Sequence, residues 1–179
     1  ATAAAALLLT GLATASAGTA AATSPVSSAT LRLSLNQDVD TLLPMDSNVG
    51  DNIGILDVVY DGLMRYDADT TEPYPYVAES VETDDNEVWT ITIKPDLTFQ
   101  NGEPVDAAAF VRAWNYAAYG PNGMGNNYFF ERITGYDEMQ GETDDDGNVT
   151  VEPAATELSG LEIVDPLTLQ VTLNGPFAG

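Results

Sequence analysis

The densest run of side-chain oxygens in this chain is Asp144-Asp145-Asp146-Gly147-Asn148. Asp144, Asp146 and Asn148 carry the alternate spacing with which a calcium loop presents its first ligands. Such a loop also requires glycine at its sixth position and a bidentate glutamate at its twelfth. Those places hold Val149 and Ala155, so the run reads as a solvated acidic turn ahead of the strand-like Asn148–Glu152. Asn148-Val149-Thr150 is a glycosylation sequon, meaningful only in a eukaryotic secretory context. Paired carboxylates are the machinery of glycoside hydrolysis, yet with 28 Asp+Glu such pairs arise by number alone. No acid sits in an apolar stretch that would raise its pKa and mark a proton donor. The aromatic side chains are more informative. Tyr74 and Tyr76 flank Pro75, and Tyr116, Tyr119, Tyr128, Phe129 and Phe130 gather around the Gly-rich segment 120–127. Rigid apolar walls with polar tips suit a cleft for ligands of mixed character. Trp89, Phe110 and Trp114 fall on periodic elements and are assigned to the core. Tyr128, beside Asn126 and Asn127, fits core and ligand wall equally well.

Composition narrows the chemistry further. The chain has 179 residues, 5 Lys+Arg, a formal charge of −23, no His and no Cys. Without imidazole or thiol there is no Ser-His-Asp or Cys-His nucleophile. Structural zinc, and most catalytic zinc or copper, lose their usual ligands as well, and no cofactor is expected. Nucleic acid is excluded as a partner, because cationic side chains must displace the counterions of phosphate. An anionic membrane surface repels such a chain for the same reason. Hydrophobic residues at 44% still suffice for a core, and the length fits one domain or part of a larger one.

The acidity begins late, at Asp38, and before it the sole ionisable side chain is Arg32. Residues 1–30 are mostly Ala, Thr, Ser and Gly around the apolar run Ala3–Leu9. That run is too short to span a bilayer and suits the apolar part of a secretory signal, with Ala15-Ser16-Ala17 as a cleavage candidate. Lacking an initiator Met and a basic start, the sequence reads as beginning inside that signal. Leu9-Thr10-Gly11-Leu12-Ala13 looks like a bacterial lipobox with Leu12 where the lipidated Cys belongs. Thr19–Ala29 reads as a flexible linker of low complexity.

Beyond the linker the pattern is mixed. Leu31–Leu35 alternates and is predicted as a strand; Asp51 is placed as the cap of a helix running to about Gly62, with Ile53, Leu56, Val59, Tyr60 and Leu63 on its buried face. Leu63–Asp67 is a short strand and Asp69–Pro73 a turn. Val88–Ile93 is a strand with Trp89, Ile91 and Ile93 on one face; Lys94-Pro95-Asp96 turns the chain into Leu97–Phe99, and Asn101-Gly102 is a strong turn signal. Asp106 caps a helix over Ala107–Ala118. Tyr128–Gln140 is a broken helix, and Leu161–Val164 with Leu167–Leu173 forms a hairpin around Asp165-Pro166. Strands and helices interleave, which gives an α/β or α+β class without internal repeats. Asn174–Gly179 reads as the exit of a strand into more protein.

Three ordered stretches carry a resemblance. Val59-Tyr60-Asp61-Gly62-Leu63-Met64-Arg65-Tyr66-Asp67 is like "(L/V)-Y-E-G-L-x-x-x-D", and Pro75-Tyr76-Val77-Ala78-Glu79-Ser80 is like "P-x-L-A-E-S-W". The longest runs from Trp89-Thr90-Ile91-Thr92-Ile93 through Phe99-Gln100-Asn101-Gly102-Glu103-Pro104-Val105-Asp106-Ala107. Together with the strand at Leu31–Leu35 and the hairpin ending in Pro176-Phe177, they resemble the family 5 solute-binding proteins of ABC importers, the oligopeptide- and dipeptide-binding group. The resemblance covers roughly residues 31–179 and rests on scaffold residues: turn, cap and helix-stop positions.

It implies an α/β, partial type II periplasmic-binding-protein-like fold that closes on its ligand like a hinge. On that basis residues 1–30 are signal remnant and linker, 31–57 the start of the first lobe, and 58–179 most of a small extra α/β domain. The second lobe then lies beyond Gly179. The family holds an extended peptide like an added β-strand, and the loop that contributes to this pairing falls on Asn48, Val49 and Gly50. For the aromatic wall of the pocket Tyr128 is the nearest residue, with Met124 the alternative at the aligned position. The implied protein is a monomeric, exported, non-enzymatic binder of small peptides or similar solutes that delivers them to a membrane ABC permease. The reading kept beside it is an extracytoplasmic carbohydrate-acting enzyme or adhesive module that shares short motifs.

Overall fold

Six residues of strict alternation, Val88–Ile93, become the centre of the structure. In the computed structural model the described residues are 34–35, 38–39, 41–47, 50–144 and 147–177. Ser34 aside, all of them belong to one unit, Leu35–Gly179. The leader, nearly all of the expected strand Leu31–Leu35, and Asn48 and Val49 lie outside the described residues. The elements are helices α1 (Gly50–Val59) and α2 (Ala107–Ala118), and strands β1 (Met64–Tyr66), β2 (Pro73–Pro75), β3 (Ala78–Glu82), β4 (Val88–Ile93), β5 (Glu142–Thr143), β6 (Val149–Val151), β7 (Leu161–Asp165) and β8 (Thr168–Thr172).

The main sheet is antiparallel with order β3-β4-β8-β7. Two local hairpins are joined edge to edge where β4 meets β8, with Thr90 opposite Gln170 and Ile91 opposite Leu169. Because side chains alternate across a strand, Ile91, Ile93, Leu169 and Val171 share the inner face and are buried. Thr90, Thr92, Thr168 and Thr172 fall on the other face. The inner face forms one cluster with Ala107, Ala117 and Ala118 of α2 and with Phe130, Ile133, Met139 and Leu158 from the segments between α2 and β7. Phe110 and Trp114 pack on this cluster half-buried, edge to face at 6.1 Å, which is the core role assigned to them from periodicity. Trp89 packs there as well.

Local chemistry bounds several elements where the sequence indicates. The Asp106 carboxylate accepts a hydrogen bond from the Ala109 amide at 2.8 Å, capping α2. Asp106→Ala is expected to cost about 1 kcal/mol of stability, and urea denaturation checks it; an unchanged midpoint would remove the cap from the account. In the β3–β4 turn, Asp85 accepts from the Val88 and Glu87 amides, which hold its carboxyl below the ordinary range. In the β7–β8 turn the Leu167 amide does the same for Asp165.

Three expectations are corrected. α1 runs Gly50–Val59, so Asp51 is its second residue, and the helix ends short of Gly62. The reason lies downstream: the Gly62 and Leu63 carbonyls accept from Val77 and Tyr76, which draws the chain out of the helix toward β3. Its expected buried face is not buried as a whole either. Leu56 and Asn52 are buried, whereas Ile53, Val59 and Tyr60 are 53%, 52% and 48% exposed. Beyond β4, Leu97–Phe99 makes a single bridge, Thr98 to Pro104, because Pro104 has no amide with which to extend a ladder. Finally, Pro73 lies in β2, paired with β1, rather than in a turn. A proline-flanked edge strand gives little signal in sequence.

Candidate functional site

The residues expected to meet a ligand stand on two segments far apart in sequence. One is the turn Pro44–Asp46 with Ser47 behind it, shortly before Gly50 at the start of α1. Of Asn48, Val49 and Gly50 only Gly50 is described; it is exposed and opens the helix. The other segment follows the Gly-rich loop. There Asn127–Phe130 makes one 3-10 turn, whose neighbouring side chains diverge by about a third of a turn. Phe130 therefore points into the core, 8% exposed, while Tyr128 and Phe129 stand outside at 51% and 67%. The two outer rings stack at 4.6 Å, presenting an aromatic ledge. Tyr128 is therefore no core residue, since the core place is taken by Phe130.

Hydrogen bonds hold this turn from below. The Asn127 amide donates to Gln140 Oε1 at 3.2 Å, and the Tyr136 hydroxyl donates to Asn127 Oδ1 at 3.2 Å. Gln140 donates in turn to the Ala118 and Tyr136 carbonyls. Burial raises the Tyr136 pKa, and the negative charges of Glu131 and Asp137 add to this, so its hydroxyl stays a donor at neutral pH.

The two segments are joined by Asn126, a residue whose part was not legible in sequence. Its backbone amide donates to the Met45 carbonyl at 2.9 Å. Its side-chain amide donates to the carbonyls of Pro44 at 3.3 Å and Ser47 at 3.0 Å. The Asn126-Asn127 pair behind a Gly-rich loop was the available signal, but nothing local in sequence reveals carbonyl partners so distant.

Other aromatics serve elsewhere. Tyr76 lies beneath the Arg65 guanidinium at 3.8 Å, with the Lys94 ammonium at 5.8 Å, so two of the five cations are spent on one scaffold ring. Tyr116 and Tyr119 line a shallow depression of about 240 Å³ with Asn115, Asn122 and Thr156. A wider hollow of about 340 Å³ is lined by acids of the β3–β4 turn, including Glu82, Asp84 and Asp85. Neither contains Gly50 or Tyr128. In the acidic run, Asp144 accepts from the Asn148 backbone and side-chain amides. Among the described residues no group of three acids is arranged to hold a metal ion, and no helix is long and apolar enough to cross a membrane.

The helix packed on one face of an antiparallel sheet belongs to a partial type II periplasmic-binding-protein-like fold. The fold is similar to that of the unliganded murein tripeptide-binding protein MppA, with a TM-score of 0.64, 24% identity, and coverage of 76% of this chain and 25% of that one. It is similar also to Haemophilus influenzae OppA in complex with the peptide RPPGFSPFR, with a TM-score of 0.63, 25% identity and the same coverage. Residues 72–179 match the model for bacterial extracellular solute-binding proteins, family 5 Middle, and the chain belongs to that family. The oligopeptide-binding protein OppA of Bacillus subtilis is 29% identical over 148 residues, 82% of this chain and 25% of that protein. The periplasmic oligopeptide-binding protein OppA of Escherichia coli is 31% identical over 128 residues, 66% of this chain and 20% of that protein. The chain thus spans a fifth to a quarter of the length of these relatives.

Proposed function

We propose that this chain is the N-terminal part of the substrate-binding component of an ABC importer, and that the whole protein captures peptides in a closing cleft. The observation that carries this is the family match over residues 72–179, together with relatives named as peptide-binding proteins. On this reading residues 31–57 begin the first lobe and 58–179 form the extra domain, behind a leader over 1–30. Asn48, Val49 and Gly50 pair with the ligand backbone as an added strand would, and Tyr128 supplies an aromatic wall. The protein works outside the cytoplasm as a monomer, catalyses nothing, and hands its ligand to a membrane permease.

Mass analysis of what co-purifies with the full-length protein tests the substrate class directly. Peptides are the expected result; a sugar or metal chelate in their place would sink the peptide assignment. The 179-residue chain alone is expected to bind peptide at least 100-fold more weakly than the full-length protein, because it offers one wall of the cleft. Titration calorimetry on both decides this, and equal affinities would place the whole site within these residues.

A further inference from the structure

Three asparagines in this chain precede a glycine: Asn101-Gly102, Asn122-Gly123 and Asn174-Gly175. Such a pair is able to modify itself. Glycine has no side chain to keep its own amide nitrogen away from the carboxamide carbon of the residue before it. The glycine nitrogen is the attacking atom, and it must shed its proton to react. An N–H already donated to a carbonyl has first to give up that bond, which raises the barrier.

At two of the three pairs that bond exists. The Gly102 amide donates to the Phe99 carbonyl and the Gly123 amide to the Gly120 carbonyl, both at 2.9 Å. Gly175 differs: its amide donates to no acceptor among the described residues. The asparagine side chains do not separate the three, because each is engaged once. Asn101 Oδ1 accepts from the Glu103 amide at 3.0 Å. Asn122 Nδ2 donates to the Tyr116 carbonyl at 2.7 Å, and Asn174 Nδ2 to the Glu131 carbonyl at 3.0 Å. The state of the glycine amide is what distinguishes Asn174, which is also exposed.

We propose that Asn174 is the site at which the folded protein deamidates. The Gly175 nitrogen bonds to the Asn174 side-chain carbonyl carbon and gives its proton to water; the carboxamide C–N bond breaks and ammonia leaves. Water then opens the cyclic imide. Opening at the side-chain carbonyl leaves aspartate, and opening at the main-chain carbonyl leaves isoaspartate, with the chain rerouted through Cβ. Either product replaces the N–H donor that held the Glu131 carbonyl with an ionised carboxylate, which has none. The segment concerned is otherwise fastened by the Asn174 amide on the Arg132 carbonyl, the Phe177 amide on the Asn86 carbonyl and the Arg132 guanidinium over the Phe177 ring at 4.3 Å. Each modified molecule thus gains one negative charge and a loosened segment 174–177, in proportion to its age.

The test ages full-length protein at neutral pH, folded and in parallel unfolded in guanidinium chloride, and follows the three Asn-Gly peptides by mass analysis after digestion. In the folded protein Asn174 is expected to convert about tenfold faster than Asn101 or Asn122, the factor imposed by one hydrogen bond given up before attack. In denaturant the three rates are expected to draw together. Gly175→Ala, whose methyl meets nothing within 4 Å, is expected to slow conversion at Asn174 while Asn101 and Asn122 keep their rates. Amide exchange in the aged protein is expected to quicken at residues 174 and 177 while β4 and α2 keep their protection. Conversion of Asn101 or Asn122 as fast as Asn174 in the folded protein would overturn the proposal. So would an order of rates that survives in denaturant, since the cause would then be the flanking sequence. Unchanged exchange at residues 174 and 177 would overturn the loosening.

Discussion

Gly160→Ala is expected to destabilise the unit by about 3–5 kcal/mol, far more than its single methyl suggests. A Cβ at this position would lie 2.4 Å from the Thr172 carbonyl oxygen, 3.0 Å from the Thr134 amide and 3.1 Å from Ile133 Cγ2. Two of these are main-chain atoms, so no rotamer change relieves the clash. They are also hydrogen-bonded through the same point: the Gly160 amide donates to Thr134, the Thr172 amide to Gly160, and the Thr134 amide to Thr172, at 2.7 to 3.0 Å. Making room for the methyl means prising β8 from the 133–134 turn and losing part of this three-way bond, so overpacking and lost hydrogen bonds add. Gly175→Ala is the control, because nothing lies within 4 Å of its Cβ position. Urea midpoints should separate the two variants widely. Similar midpoints would mean that β8 gives way cheaply.

Salt is expected to have the next largest effect. Raising NaCl from about 10 mM to about 1 M should stabilise the chain by on the order of 2 kcal/mol, a rise of about 4–8 °C in Tm. Five Lys+Arg cannot neutralise 28 Asp+Glu, and Arg65, which pairs with Asp61, and Lys94 are already committed around Tyr76. The remaining carboxylates repel one another more strongly in the folded state than in the expanded one, and screening shortens the reach of that repulsion from roughly 30 Å to 3 Å. A melting series in NaCl, run beside one in sucrose, separates screening from general exclusion of cosolvent. A Tm flat in NaCl would show that the acids are spaced widely enough not to matter.

Sequence patterning was most reliable where one local rule decided the outcome. β4 and α2 have the bounds read from alternation and from the Asp106 cap, and the β7–β8 hairpin follows from Asp165-Pro166. It was least reliable where distant partners decided. The end of α1 depends on carbonyls that bond residues 76 and 77. β2 needs β1 to be a strand at all. For the candidate site, the exposed aromatic at Tyr128 was visible as a residue type beside a Gly-rich loop. Its neighbour Phe130 decided which ring went inward, and Asn126 acted through carbonyls that carry no sequence signal.

The meeting of β4 with β8 also constrains the order in which the chain is able to fold. β4 has its hairpin partner β3 at once, but its other edge waits for a strand roughly 80 residues later in synthesis. Until then that edge presents a row of unpaired amides and carbonyls, and Trp89 and Ile91 lack their neighbours Val171 and Leu169. The nascent β3–β4 hairpin is therefore the segment most open to capture by a chaperone or by a second nascent chain, and that window closes when residues 168–172 arrive.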